Sequence, residues 1–153
     1  GWPAIEKRTQ WGVLLLVGGG LCLSELMATS GASRYMAGTL TVALQGAPTP
    51  LLILGLVAFV VFLTELVSNT ASAALLVPIF LGVAKAMGLP PPLFAAAIAV
   101  SASCAFMLPV ATPPNAIVYA TEQVPQSTMM RCGLALNLVC IAAIAAATML
   151  AFA

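Results

Sequence analysis

Ser68, Asn69 and Thr70 stand at the midpoint of a run from Leu51 to Met87 that is otherwise almost all Leu, Val, Ile, Ala, Phe and Gly. Further on, Thr112, Pro113, Pro114 and Asn115 interrupt a second apolar segment. Small hydroxyl and amide side chains at such places replace backbone hydrogen bonds where a helix stops among apolar surroundings. A broken helix exposes carbonyls at the end of its first piece and amides at the start of its second. The first end suits a cation and the second an anion. Two breaks facing each other can hold a dehydrated sodium ion on carbonyl and hydroxyl oxygens while helix N-termini meet a carboxylate. The same residues also fit a plainer role as kinks and interhelical hydrogen bonds. Two breaks so close in sequence call for a compensating reason, which favours the site.

Other chemistry finds little support. An enzyme needs a nucleophile with a base or a metal cluster, and the sequence has no His, no Asp and only isolated Glu residues. A channel filter calls for a ring of charged or repeated residues, and only Glu65 lies near the first break. A carboxylate facing a bound anion would repel it. Glu65 is therefore expected to point away and to take hydrogen bonds within the bundle. A purely structural segment is the blandest alternative.

The elements that position these residues belong to a membrane. The chain has 153 residues, of which 62% are hydrophobic and 6% charged. Its mean hydropathy is +1.13, which implies an integral membrane chain. A net charge of +1 offers no basic patch for nucleic acid. Cys22, Cys104, Cys132 and Cys140 have neither Cys-x-x-Cys spacing nor a nearby His, so neither a disulfide framework nor a zinc site is suggested. With no initiator Met and no signal-peptide pattern, the chain reads as the last third of a longer polypeptide.

Residues 1–11, with Trp2, Glu6, Lys7, Arg8 and Trp11, read as an interfacial border, and 12–29 as a transmembrane helix. Gly18-Gly19-Gly20 inside it would admit a neighbouring backbone. Residues 30–49 read as an amphipathic interfacial helix or loop. The run over 50–88 is too long for one span: as a straight helix Leu51 to Met87 would measure roughly 55 Å against a hydrocarbon core of roughly 30 Å. It must turn, with its tip at 68–70, either in water or as a re-entrant hairpin. Pro90, Pro91 and Pro92 then force a short connection. Residues 93–122 read as a discontinuous transmembrane helix broken at 111–115, with Asn115 the candidate N-cap. Residues 129–153 form a last span with Asn137 inside it.

The two breaks also carry a family likeness. Ser68-Asn69-Thr70-Ala71-Ser72-Ala73, and Ser103-Cys104-Ala105-Phe106-Met107-Leu108-Pro109-Val110-Ala111-Thr112-Pro113-Pro114-Asn115-Ala116, resemble the C-terminal half of the divalent anion:sodium symporters. The likeness extends over the whole chain, including Trp11 to Ser24 and Met129-Met130-Arg131. It implies an all-α integral membrane fold. The chain would be the second inverted repeat of a transporter, with a re-entrant helical hairpin and a discontinuous helix. The function implied is sodium-coupled symport of di- or tricarboxylates such as succinate, malate or fumarate. The alternatives within the family are another divalent anion (citrate, sulfate) or sodium-independent exchange. No cofactor is implied beyond sodium as coupling ion.

By the same resemblance, Asn69, Thr70 and Pro113 meet a substrate carboxylate. Thr64, the Val67 carbonyl, Asn69 and the Ala111 carbonyl surround sodium, with Ser68, Thr112, Pro114 and Asn115 in support. The other half of the site would come from the N-terminal repeat of the same transporter, and the whole would be a homodimer in a bacterial inner membrane. Loop charge agrees weakly with this orientation: Lys7, Arg8 and Arg131 inside, Arg34 and Lys85 outside.

Overall fold

Apolar runs punctuated by proline and glycine decide where this chain is helical. The computed structural model describes residues 11–44, 46–86 and 88–152, and the regular structure among these is entirely helical. In order the helices are α1 (Trp11–Thr29), α2 (Ala32–Ala43), α3 (Thr49–Leu63), α4 (Asn69–Ala86), α5 (Pro91–Ala102), α6 (Pro113–Ala120) and α7 (Gln126–Phe152). Prolines open three of them: Pro50 in α3, Pro91 and Pro92 in α5, Pro113 and Pro114 in α6. A missing N–H is no loss in a first turn. Gly88 closes α4 in a left-handed conformation (φ 69°), with its N–H on the Lys85 carbonyl and the Leu89 N–H on Ala84 at 2.9 Å. That geometry caps the last turn, and Pro90 prevents resumption.

Helix α3 is the centre of the packing. It buries Leu52, Ile53, Leu56, Val57, Val60 and Val61 and packs against α5 and α7. Helix α4 lies along α5, so α5 packs on both arms of the central run. Leu76, Phe80, Phe94 and Ile98 join the same core. Helix α2 touches α1, α3 and α4, and α1 rests on α6. Helices α1 and α7 contain windows of mean hydropathy 1.7 and 2.3, long enough to cross a membrane. Leu15 and Leu21 of α1 and Val139 and Leu150 of α7 are exposed, whereas Thr64, Glu65 and Asn137 are buried. Apolar outside and polar inside is the arrangement that lipid, not water, rewards.

Several boundaries fall elsewhere than the spacing predicts. The turn of the central run occupies 64–68, not 68–70, and Asn69 already belongs to α4. The Leu63 carbonyl accepts from both Leu66 and Val67 N–H at 3.0 Å, which ends α3 early. The break in the 93–122 segment runs from 103 to 112 rather than 111–115. Pro113 and Pro114 start a helix instead of stopping one, and its N-cap is Thr112 rather than Asn115. The last span begins at Gln126, and 30–49 contains a regular helix. Nothing lies within 4 Å of a Cβ built on Gly18 or Gly19, so no backbone among the described residues uses that stripe. The border expected over 1–11 lies, apart from Trp11, outside the described residues.

The glycine used for close approach is Gly133 on α7. A Cβ there would overlap the Phe106 carbonyl and lie 2.7 Å from Met107 Cα. Both are backbone atoms, which cannot swing aside as a side-chain end can. Gly133→Ala is therefore expected to destabilise the folded chain by about 1–3 kcal/mol. Thermal unfolding of the purified membrane protein checks this, and an unchanged melting temperature would show that the 106–107 backbone yields freely.

Candidate functional site

Residues 103–112 leave helical geometry inside the bundle, so their backbone groups need partners that water cannot supply. Glu65, in the turn after α3, provides them. Its Oε1 accepts from the N–H of Phe106 and of Met107, and its Oε2 from the N–H of Leu108, each at 2.9 Å. The Nδ2 of fully buried Asn137, on α7, donates to Oε1 at 2.9 Å. Glu65 is only 4% exposed and every one of these partners is a donor, which suits an acceptor-only carboxylate. The expectation that Glu65 turns inward to the bundle holds. On the other side of the break, Asn115 Nδ2 donates to the carbonyls of Ala105 (2.9 Å) and Leu108 (3.0 Å). The loop is thus gripped by its amides from one break and by its carbonyls from α6.

One residue before Glu65, Thr64 gathers oxygens. Its hydroxyl lies 2.7 Å from Asn69 Oδ1, 2.9 Å from the Ala102 carbonyl and 3.4 Å from the Val67 carbonyl. The hydroxyl has one proton to donate and three acceptors around it. Thr64 is fully buried and Val67 3% exposed, so the surplus lone pairs are largely shut off from water. The carbonyls come from the end of α5 and the turn after α3, where helix dipoles add negative partial charge. Such a cluster of neutral oxygens is the donor set of a hard monovalent cation. Ala111, expected as a ligand, lines the adjoining cavity, whereas the distant carbonyl that meets Thr64 is Ala102's. Nothing in the sequence distinguishes Ala102 except that a helix ends there.

A cavity of about 520 Å³ opens beside this cluster. Val67, Ser68 and Asn69 line it from the first break, and Ala111, Thr112, Pro113, Pro114 and Asn115 from the second. The structure thus brings the two motifs to one space. Thr70 is left outside it, on a second cavity between α4 and α5 that Asn69 and Ser103 share. At the α4 N-terminus, Ser68 caps the Ala71 N–H with its hydroxyl (3.2 Å) and the Ser72 N–H with its carbonyl (2.8 Å). The N–H groups of Asn69 and Thr70 then have no intrahelical acceptor. The α6 N-terminus differs: Pro113 and Pro114 have no N–H, and those of Asn115 and Ala116 go to Thr112 at 3.4 and 3.1 Å. Amides without an intrahelical acceptor therefore come from α4, and Pro113 contributes surface only. Arg34, remote in sequence, lines a separate cavity of about 350 Å³ that reaches Val67 and Ala71.

Residues 1–152 match the family described as the sodium:sulfate symporter transmembrane region. Among similar proteins, an uncharacterized transporter of Haemophilus influenzae is 53% identical over 94% of this chain and 31% of its own length. The sodium-dependent dicarboxylate transporter SdcS of Staphylococcus saprophyticus is 39% identical over 92% of the chain and 27% of its own length. The Na(+)/citrate cotransporter of Rattus norvegicus is 38% identical over 94% of the chain and 25% of its own length. The chain spans between a quarter and a third of these relatives.

Replacing Glu65 by Gln exchanges one acceptor oxygen for an NH₂ that would face backbone donors. The loss of hydrogen bonds to a buried charged group is expected to cost about 3 kcal/mol or more in stability. The expected result is poor expression or a lowered melting temperature, with substrate affinity of the folded fraction changed much less. A large gain in affinity with normal folding would show instead that the carboxylate faces the substrate.

Proposed function

The chain belongs to the sodium:sulfate symporter family of integral membrane transporters, and from that premise we propose that it is part of a sodium-coupled symporter for di- or tricarboxylates and carries half of its substrate and sodium site. The observation that carries this reading is the buried meeting of Thr64 Oγ1, Asn69 Oδ1 and the Val67 and Ala102 carbonyls, beside a cavity lined by both breaks. Sodium sits on those oxygens. One substrate carboxylate sits at the α4 N-terminus, on the Asn69 amide and the N–H groups of Asn69 and Thr70, with Thr70 on the far side of Asn69. Asn69 belongs to both: its Oδ1 turns to Thr64, which leaves its Nδ2 for the anion. Ser68, Thr112, Pro114 and Asn115 hold the two turns in place.

In this reading α3 and α4 are the arms of a re-entrant hairpin. At about 22 and 27 Å, neither exceeds the roughly 30 Å hydrocarbon core. Helices α5 and α6 form the discontinuous helix. The chain is the second inverted repeat, the N-terminal repeat supplies the second carboxylate site, and the transporter is a homodimer in a bacterial inner membrane. Succinate, malate and fumarate fit two carboxylate sites. The likeness to a Na(+)/citrate cotransporter favours citrate as the second reading.

Uptake of labelled succinate by the intact transporter in proteoliposomes is expected to require an inward sodium gradient; uptake driven equally by a pH gradient without sodium would overturn the coupling. Asn69→Ala, which removes the amide donor, is expected to weaken dicarboxylate binding tenfold to a hundredfold, or about 1.5–3 kcal/mol. Asn69→Asp adds repulsion and is expected to be worse. Sodium-independent binding that survives Asn69→Asp would sink the assignment.

A further inference from the structure

Spacing in the sequence pairs none of the cysteines, but the fold pairs two of them. Cys22 and Cys132 are exposed, Cys140 is half-buried, Cys104 is buried, and all four thiols are free. The Cys104 thiol donates to the Val100 carbonyl at 3.5 Å, and its side chain is in hydrogen-bond contact with the thiol of Cys140. The packing of α7 on the loop after α5 brings the two together on independent grounds. Gly133 lies against the Phe106 carbonyl and Met107 Cα, and Asn137, one turn further, shares Glu65 Oε1 with the N–H groups of Phe106 and Met107. Cys140 follows on the same face of α7, one turn beyond Asn137. Cys104 precedes Phe106 by two residues and belongs to the buried core cluster, against which Cys140 packs. Two side chains that meet sulfur to sulfur across two elements are placed for a disulfide.

The pair also sits where a cross-link has a consequence. Cys104 stands near the start of the non-helical stretch 103–112, two residues after Ala102, whose carbonyl meets Thr64. The far end of that stretch supplies Ala111 and Thr112 to the cavity of about 520 Å³. Hydrogen bonds through Glu65 and close packing at Gly133 hold the loop to α7 when the thiols are reduced.

We propose that Cys104 and Cys140 are a redox-controlled staple: a low-molecular-weight disulfide oxidises them to a disulfide that ties the 103–112 loop to α7 beside the candidate site. Half-buried Cys140 is the entry point. Its thiolate attacks the S–S bond of the small disulfide, forms a mixed disulfide and releases one small thiolate, which takes up the proton that Cys140 lost. The Cys104 sulfur then attacks the Cys140 sulfur. The second small thiolate leaves with the proton of Cys104. Two protein thiols lose two electrons, and the small disulfide is reduced to two thiols. Burial shields Cys104 from the small disulfide itself, so the reaction ends in closure between the two cysteines. The link restricts the unfolded chain and joins elements that Glu65 already holds together, so it stabilises the fold. This holds whatever the coupling ion is.

The test treats the intact, detergent-purified transporter with dithiodipyridine, alkylates it under denaturing conditions without reductant, and maps its peptides by mass spectrometry. The expected product is a Cys104–Cys140 linked peptide pair, with single mixed disulfides at Cys22 and Cys132. The oxidised protein should melt at a higher temperature than the reduced one, and dithiothreitol should reverse the gain. Cys140→Ala should remove both the link and the gain. Free thiols or separate mixed disulfides at 104 and 140, with Cys22 and Cys132 fully modified, would overturn the proposal. A linked pair that leaves the melting temperature unchanged would overturn the stapling. Should Cys140→Ala fail to fold, Cys104→Ser provides the same comparison, and the peptide map of the parent needs neither variant.

Discussion

The bond set around Glu65 is the constraint from which the site follows. Three successive amides, at Phe106, Met107 and Leu108, point inward where the chain has left the helix, and an apolar bundle has no water to satisfy them. A lone carboxylate in the same interior would be equally unfavourable. Each makes the other tolerable. Because both Glu65 oxygens are engaged, the end of α3, the loop after α5 and the Asn137 level of α7 hold one mutual position. Gly133 on α7, one turn from Asn137, removes the side chain that would keep the loop from coming so close. Asn115 secures the loop's carbonyls in turn. Thr64 adjoins Glu65 in sequence, so fixing the carboxylate also fixes the hydroxyl on which the oxygen cluster converges.

Much of this was legible in the sequence, and what was not has a common cause. Composition gave the membrane class. Proline clusters gave the connection before α5, and the polar tips gave the existence of both breaks, because such signals are local. The exact turns were displaced by a few residues in the first break and by most of a helical turn or more in the second. A polar side chain near a break says that backbone bonds are lost, not which ones. Pro113-Pro114 look like an interruption when read forward from α5, yet they are the first turn of α6, where proline is welcome. Glu65 could be expected to face the bundle, but its partners are backbone amides, which every residue possesses and no residue type announces. The same holds for the Ala102 carbonyl. Gly133 looked ordinary beside Gly18-Gly19-Gly20, and only the fold shows which glycine admits a neighbour.

The fate of the Glu65 charge bears directly on the proposed coupling. Its oxygens are engaged by amides and Asn137, so it makes no direct contact with an anion in the 520 Å³ cavity or with a cation beside Thr64. The side chains lining that cavity are uncharged. Lys85 stands in the last turn of α4, at the opposite end from Asn69, and Arg34 faces a different cavity. In the proposed reading a dicarboxylate entering here would meet the dipoles of uncharged side chains and backbone, which fall short of a full charge in low dielectric. The oxygen cluster has the converse deficit, since it attracts a cation with partial charges only. Asn69 touches both spaces with one rigid amide, Oδ1 toward Thr64 and Nδ2 on the other side. In the proposed site an ion held on Oδ1 would orient and polarise the amide toward the anion, and the anion on Nδ2 would return the effect. Reciprocity of binding free energy then makes each ligand raise the affinity of the other by the same factor. A lysine or arginine in the cavity would hold the carboxylate without sodium. In the proposed coupling, a cavity lined among the described residues by uncharged side chains would leave the anion dependent on sodium.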